Sequence, residues 1–228
     1  MNKCLVLPSL KVCKTPATVI VLHGLGDSGH GWSDAAGMWQ KALPHCKFVL
    51  PHAPKAPVTL NFGMMCPSWH DIKSLDSIDS EDFAGLDKSI QYVQSLIAEE
   101  VKGGTPAARV VLGGFSQGAA LSIMTGFATD SPLAGVFAMS GYMPYKGDAK
   151  DFVKNTKIPS LLCHGSADQV VKLEFGQNAY ERLQKLGVPV DFKLYSGMEH
   201  SACIEEVKRC HNLPSAASLC LPVHGANV

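Results

Sequence analysis

Ser116, Asp168 and His200 lie far apart along this chain, and they supply the hydroxyl, carboxylate and imidazole that acyl-transfer chemistry combines. Ser116 stands in Gly114-Phe115-Ser116-Gln117-Gly118, a Gly-x-Ser-x-Gly pattern. A serine hydroxyl is a weak nucleophile unless a neighbouring base takes its proton. The small residues around it permit a turn sharp enough to lift the hydroxyl clear of the backbone. Because the pattern also arises by chance in glycine-rich turns, its surroundings decide. Val110-Val111-Leu112-Gly113 before it reads as a buried strand, and Ala119, Ala120, Leu121, Ile123 and Met124 after it read as a helix. Strand, sharp turn and helix are the setting the pattern needs.

Such a serine needs a histidine base, an acid behind the base, and donors for the oxyanion. In enzymes built on this elbow the partners follow in the order Ser, Asp or Glu, His. Of nine histidines, only His200, His211 and His224 satisfy that order. His200 follows the last strand pattern, whereas His211 and His224 sit in a Cys-, Pro- and Ala-rich tail; His200 is the base. Asp130, Asp148, Asp151 and Asp168 are the loop acids, and only Asp168 closely follows a buried strand. Reactive groups in open α/β sheets gather at the carboxyl ends of strands. One oxyanion donor is the backbone N–H of Gln117, at a helix N-terminus that favours negative charge. The other is expected from the loop His23-Gly24-Leu25-Gly26, with the Leu25 N–H as donor.

The elements that must hold these groups alternate. Strand patterns are expected at 18–23, 47–50, 110–113, 135–139, 160–163 and 190–195, the last at or near a sheet edge. Helices are expected from Ser33-Asp34 to about Leu43, with Met38, Trp39 and Leu43 inward, and from Asp79-Ser80-Glu81 to about Lys102. In the second, Phe83, Leu86, Ile90, Val93, Ile97 and Val101 recur at steps of three and four, and Gly103-Gly104 ends it. A further helix spans about 171–186 and a short one follows His200. With no internal repeat or linker, the expectation is one domain over 1–228: a single doubly wound, mostly parallel sheet with flanking helices. Residues 53–72 read as a long irregular loop, proline-broken yet oily.

Composition narrows the classes. The chain has 228 residues, 46% hydrophobic, with 20 basic and 20 acidic residues spread evenly, which argues against a nucleic-acid partner. The N-terminal run around Leu5-Val6-Leu7 is too short for a signal peptide, and no apolar stretch reaches the ~20 residues that span a bilayer. The eight cysteines therefore read as reduced thiols of a cytoplasmic protein. His200, Cys203, Cys210 and His211 cluster without a paired C-x-x-C, so neither metal nor cofactor is expected. Cys4 reads as a plain thiol rather than a lipid carrier.

Several segments together resemble the acyl-protein thioesterase (lysophospholipase-like carboxylesterase) family of α/β-hydrolases. They are His23-Gly24-Leu25-Gly26-Asp27-Ser28-Gly29-His30-Gly31-Trp32, residues 114–122, Ser140-Gly141-Tyr142-Met143-Pro144, His164-Gly165-Ser166-Ala167-Asp168 and Glu199-His200-Ser201. Ala56 to Asn61 with Met65 to Asp71 is similar to that family's hydrophobic lid. The resemblance covers about residues 16–208 and implies the triad and donors already named. It also implies hydrolysis of long-chain thioesters on protein cysteines, with side activity on esters and lysophospholipids. The substrates would then be S-acylated proteins, met in transient contact with a membrane surface by a monomer or weak homodimer. The tail at 211–228 departs from the family's closing helix, broken by Asn212 and Pro214.

The residues themselves leave the leaving group open. A thiol, with a pKa of about 8.5, departs more readily than an alkoxide, and the triad serves both. A general carboxylesterase or lysophospholipase, or a non-catalytic ligand-binding relative, therefore stands as the alternative. Selection must come from the pocket, where each buried CH₂ is worth ~0.8 kcal/mol. Val58, Leu60, Phe62, Met64, Met65 and Trp69 of the oily loop, with Tyr142, are the acyl-binding candidates. Trp32 and Trp39 fit pocket or core equally, Trp39 better the core.

Overall fold

The β-branched runs of the sequence stack at the centre of the molecule. This computed structural model describes residues 4–77 and 83–210. Seven strands form one sheet: β1 (Leu5–Leu7), β2 (Ala17–Leu22), β3 (Cys46–Leu50), β6 (Val110–Phe115), β7 (Gly135–Met139), β8 (Ser160–Gly165) and β9 (Val190–Tyr195), in the order β1-β3-β2-β6-β7-β8-β9. All neighbours are parallel except β1, which runs antiparallel to β3. β2, β7 and β8 are buried along their whole length, as a sheet covered on both faces requires. β9, the edge expected from its alternation, is only half-buried.

Helices cover both faces. α2 (Phe83–Lys102), α3 (Gln117–Ala128) and α4 (Leu173–Lys185) pack through Leu86, Val93, Leu121, Ile123 and Leu183 on one side. α1 (Ser33–Ala42) and α5 (Ile204–Cys210) close the other through Ala36, Trp39 and Val207. α3 crosses the sheet so closely that Gly118 is obligatory. A Cβ there would stand 2.2 Å from the carbonyl oxygen of Leu22.

Four local expectations change. Ser33 does not cap α1; a 3₁₀ turn at Gly29–Trp32 leads into the helix, and the Ser33 hydroxyl donates to the His30 carbonyl at 2.7 Å. Met38 faces solvent because Trp39 and Ala36 take the inner face. Val101 is exposed at the C-terminal end of α2. The fourth change is at 53–72, which is not irregular. β4 (Lys55–Val58) and β5 (Met64–Pro67) form an antiparallel ribbon. In a two-stranded ribbon each strand has a free edge, so Pro57 and Pro67 forfeit no ladder bond the ribbon needs. The tip turns through Phe62 and Gly63, both left-handed at φ 55° and 77°. The expected opening of α2 at Asp79-Ser80-Glu81 and the tail at 211–228 lie outside the described residues.

α5 is pinned to α1 by the Trp39 indole, which donates to the Val207 carbonyl at 2.6 Å. Beside Val207, Glu206 is fully buried, and neither carboxyl oxygen meets a hydrogen-bond partner among the described residues. Burial pushes its pKa up from 4.5 to about 7. The fold thus accommodates the protonated acid, and its stability falls as pH rises from about 4.5 through 7, by up to roughly 3 kcal/mol. The melting temperature is therefore expected to be several degrees lower at pH 8 than at pH 5.5, and Glu206→Gln should remove most of that difference. Identical pH dependence in the two proteins, in thermal melts, would count against this origin.

Candidate active site

Ser116 sits between β6 and α3 with φ 54° and ψ −120°. That is a costly conformation for a residue with a Cβ, and its neighbours hold it there. The Ser116 N–H donates to the Met139 carbonyl at 2.9 Å, and the Ser116 carbonyl accepts from Ala120 at 3.0 Å. Gly114 is required by crowding, since its Cβ would meet the Leu22 oxygen at 2.5 Å. The hydroxyl is therefore presented at the carboxyl end of the central strand.

The structure brings together the three groups chosen from the sequence. His200 Nδ1 lies 2.8 Å from Asp168 Oδ2, and His200 Nε2 lies 3.0 Å from Ser116 Oγ. A carboxylate only accepts, so the proton is on Nδ1, and Nε2 accepts from the serine hydroxyl. Asp168 is buried, and its other oxygen accepts from the Val170 and Val171 N–H groups, both at 2.9 Å. Burial alone would raise its pKa; the bond from His200, that residue's charge and the two backbone donors outweigh it and hold the carboxyl below its ordinary range.

The loop carrying His200 is keyed to the end of β8. Ala167 N–H donates to the Met198 carbonyl at 3.0 Å, and Gly197 N–H to the Ser166 hydroxyl at 2.8 Å. A Cβ on Gly165 would stand 2.1 Å from the Met198 oxygen, so only glycine permits this approach. The Phe115 ring lies against the imidazole, centroids 4.8 Å apart.

Two buried histidines were missed as supports. His164 Nε2–H donates to the Val171 carbonyl at 2.7 Å and so fixes the turn that solvates Asp168. His23 Nδ1–H donates to the Gly24 carbonyl at 2.7 Å, while its Nε2 accepts from Ala53 N–H at 3.0 Å. Burial lowers the pKa of both, which favours the neutral ring these bonds require. Their sequence signal was shared: each is a His-Gly pair at the end of a buried strand. The Gly24 carbonyl is turned back onto its own histidine, and in a trans peptide the Leu25 N–H points the opposite way. Gly24 and Leu25 line the same cavity as Ser116. Gln117, the other residue expected to donate, opens α3.

That cavity has a volume of about 280 Å³. Ser116 and His200 stand in its wall with Leu60, Ile72, Leu75, Tyr142, Val171 and Phe175. Of the acyl-binding candidates, Leu60 and Tyr142 are therefore in place. Val58 is instead fully buried, although it pairs with the exposed Met64 in the ribbon, and Trp69 lies buried against the His23 ring, centroids 5.0 Å apart. Phe62, Met64 and Met65 do not line the cavity and are 95%, 63% and 61% exposed. Among the described residues no group of three or more metal-type ligands converges, and His211 of the Cys/His cluster lies outside them. No helix among them is long and apolar enough to cross a membrane.

Comparison with known proteins adds a lineage to this geometry. Residues 9–213 match the family model described as phospholipase/carboxylesterase. Acyl-protein thioesterase 1 of Neurospora crassa is 41% identical over 207 residues, 86% of this chain and 84% of that protein. The protein of the same name from Yarrowia lipolytica is 44% identical over 198 residues, 84% of this chain and 87% of its own. Among solved structures, acyl-protein thioesterase 2 of Zea mays superposes with a TM-score of 0.83 at 29% identity, covering 96% of this chain and all of that one (100%). Arabidopsis thaliana SOBER1 gives 0.83 at 30% identity, covering 90% and 99%.

Proposed function

The chain belongs to the phospholipase/carboxylesterase family, and on that footing we propose that it is an acyl-protein thioesterase that removes long-chain acyl groups from protein cysteines. The observation that carries this reading is the Ser116–His200–Asp168 line opening onto an apolar cavity. Ser116 attacks the acyl carbonyl as His200 Nε2 takes its proton. The carbonyl oxygen gains charge and is met by the N–H groups of Leu25 and Gln117. The intermediate collapses, His200 returns the proton to the departing thiol, and the acyl group remains on Ser116. Water, deprotonated by His200, then releases the acid. Asp168 stays ionised throughout and stabilises the imidazolium.

The acyl chain is held by Leu60, Ile72, Leu75 and Phe175. The exposed Phe62, Met64 and Met65 support transient contact with the membrane surface from which such chains come. Among the described residues Cys4, Cys13, Cys66, Cys163 and Cys203 are free thiols, in keeping with a reducing, cytoplasmic setting. The test is a rate comparison among S-palmitoyl peptide, lysophospholipid and short p-nitrophenyl esters. The thioester is expected to have the highest kcat/KM, rising with acyl length, and Leu60→Asp should flatten that rise. A preference for lysophospholipid, or a flat profile in the parent, would move the reading to a general carboxylesterase.

A further inference from the structure

The two proposed oxyanion donors come from separate loops, and one short segment touches both. Gln117 is fully buried, and its side-chain amide is turned away from the cavity. The amide oxygen accepts from the Trp69 N–H at 3.0 Å, and the amide nitrogen donates to the Ser68 hydroxyl at 3.1 Å and the His70 carbonyl at 2.8 Å. Both of its N–H groups are therefore used. From the same segment the Trp69 indole N–H donates to the His23 carbonyl at 2.8 Å. The Pro67 carbonyl accepts from the Gly26 N–H at 2.8 Å. The segment is itself anchored: the Ser89 hydroxyl of α2 donates to the Trp69 carbonyl, and Ser68 N–H donates to the Pro54 carbonyl at 3.0 Å.

We propose that Gln117, through its side chain, and Trp69, through its indole N–H, are positioning residues that set the distance between the two oxyanion donors. The loop 23–26 is gripped at both ends by Pro67 and Trp69. The first residue of α3 is gripped by Ser68, Trp69 and His70. Leu25 N–H and Gln117 N–H are thus fixed to one common piece of chain before any substrate arrives. Fixed donors stabilise a developing oxyanion without reorganisation, and a displacement near 1 Å is enough to lower the rate by about 100-fold. Trp69 then has a different role from the acyl contact expected from its place in the oily stretch.

The proposal can be isolated because every residue at 117 keeps a backbone N–H. Gln117→Met preserves length and volume and removes only the three amide bonds. Trp69→Phe keeps an aromatic ring and removes the bond to His23. Full-length protein would be active-site titrated with a fluorophosphonate, and p-nitrophenyl acetate hydrolysis and inhibition by an alkyl boronic acid measured per titrated site. Each variant is expected to lose about 10- to 100-fold in kcat, with KM within twofold, and to lose boronate affinity by a similar factor. The double variant should lose less than the product of the two. A purely structural role would lower the titrated fraction and leave per-site kcat and boronate affinity unchanged; that outcome overturns the proposal. If Gln117→Met does not fold, Trp69→Phe decides by the same criteria. The inference rests on the acyl-serine reading, and the two fail separately: an unlabelled parent ends that reading, whereas labelled variants with parental per-site kcat end only this one.

Discussion

Replacing Ser116 by alanine is expected to abolish labelling by a fluorophosphonate and to lower kcat on any ester or thioester by about 10⁶-fold. The size of the loss follows from the position of the hydroxyl. Ser116 Oγ lies 3.0 Å from His200 Nε2 at a backbone angle held by Met139 and Ala120, and no neighbouring side chain can take its place. Without it the donors at 25 and 117 can still polarise a carbonyl, but water must attack directly and no acyl-enzyme forms. The fold should survive, because Ala also lacks a large side chain and the strained turn is held by its backbone bonds. Unchanged melting with lost turnover is the expected pair of results. Retained labelling would remove Ser116 from its proposed role.

Asp168→Asn is the second large effect, about 10⁴-fold in kcat, and here the cause is a misplaced proton. Asp168 Oδ1 accepts from the Val170 and Val171 N–H groups, and Oδ2 faces His200 Nδ1. In the asparagine variant the backbone donors claim the carbonyl oxygen, so the NH₂ faces His200. That group donates to Nδ1 and drives the imidazole proton to Nε2, where it blocks acceptance from Ser116. The variant should still bind acyl substrates with near-parental KM, since Asp168 does not touch the cavity. A pH–rate profile and the labelling rate constant would check this. A loss of less than tenfold would show that the carboxylate is not orienting the base.

Much of this site was legible in the sequence because its parts announce themselves locally. Ser116 lies in a patterned turn, Asp168 five residues past Cys163 in a buried strand, and His200 after the last strand pattern. Chain order then left few alternatives. The cavity was not legible in the same way. Ile72 and Leu75 come from the stretch after β5, Val171 from the turn before α4 and Phe175 from the start of that helix, and no single local pattern joins them. The oily stretch misled for a related reason. Its apolar residues are divided among buried, cavity-lining and exposed positions that neighbour one another in the ribbon, and a ribbon carrying two prolines does not read as strands. β1 escaped notice because three residues are too few to show alternation. His23 and His164 were seen as parts of motifs, but their work is hydrogen bonding to backbone groups, which residue type and spacing do not reveal.

The placement of the three reactive groups has a further consequence for how activity is lost. Ser116 rests on the central strand and on the fully buried α3. His200 hangs beyond β9, a half-exposed edge strand, and before α5. Local opening free energies follow such differences in burial, from small values at frayed edges to the global value at the core. The nucleophile and the base therefore belong to regions of unequal endurance. Warming or mild denaturant first frees the edge, and the serine is left intact on a folded scaffold with nothing to take its proton. With Ser116 and His200 in their proposed roles, catalytic lifetime is expected to follow the outermost strand rather than the core beneath the serine.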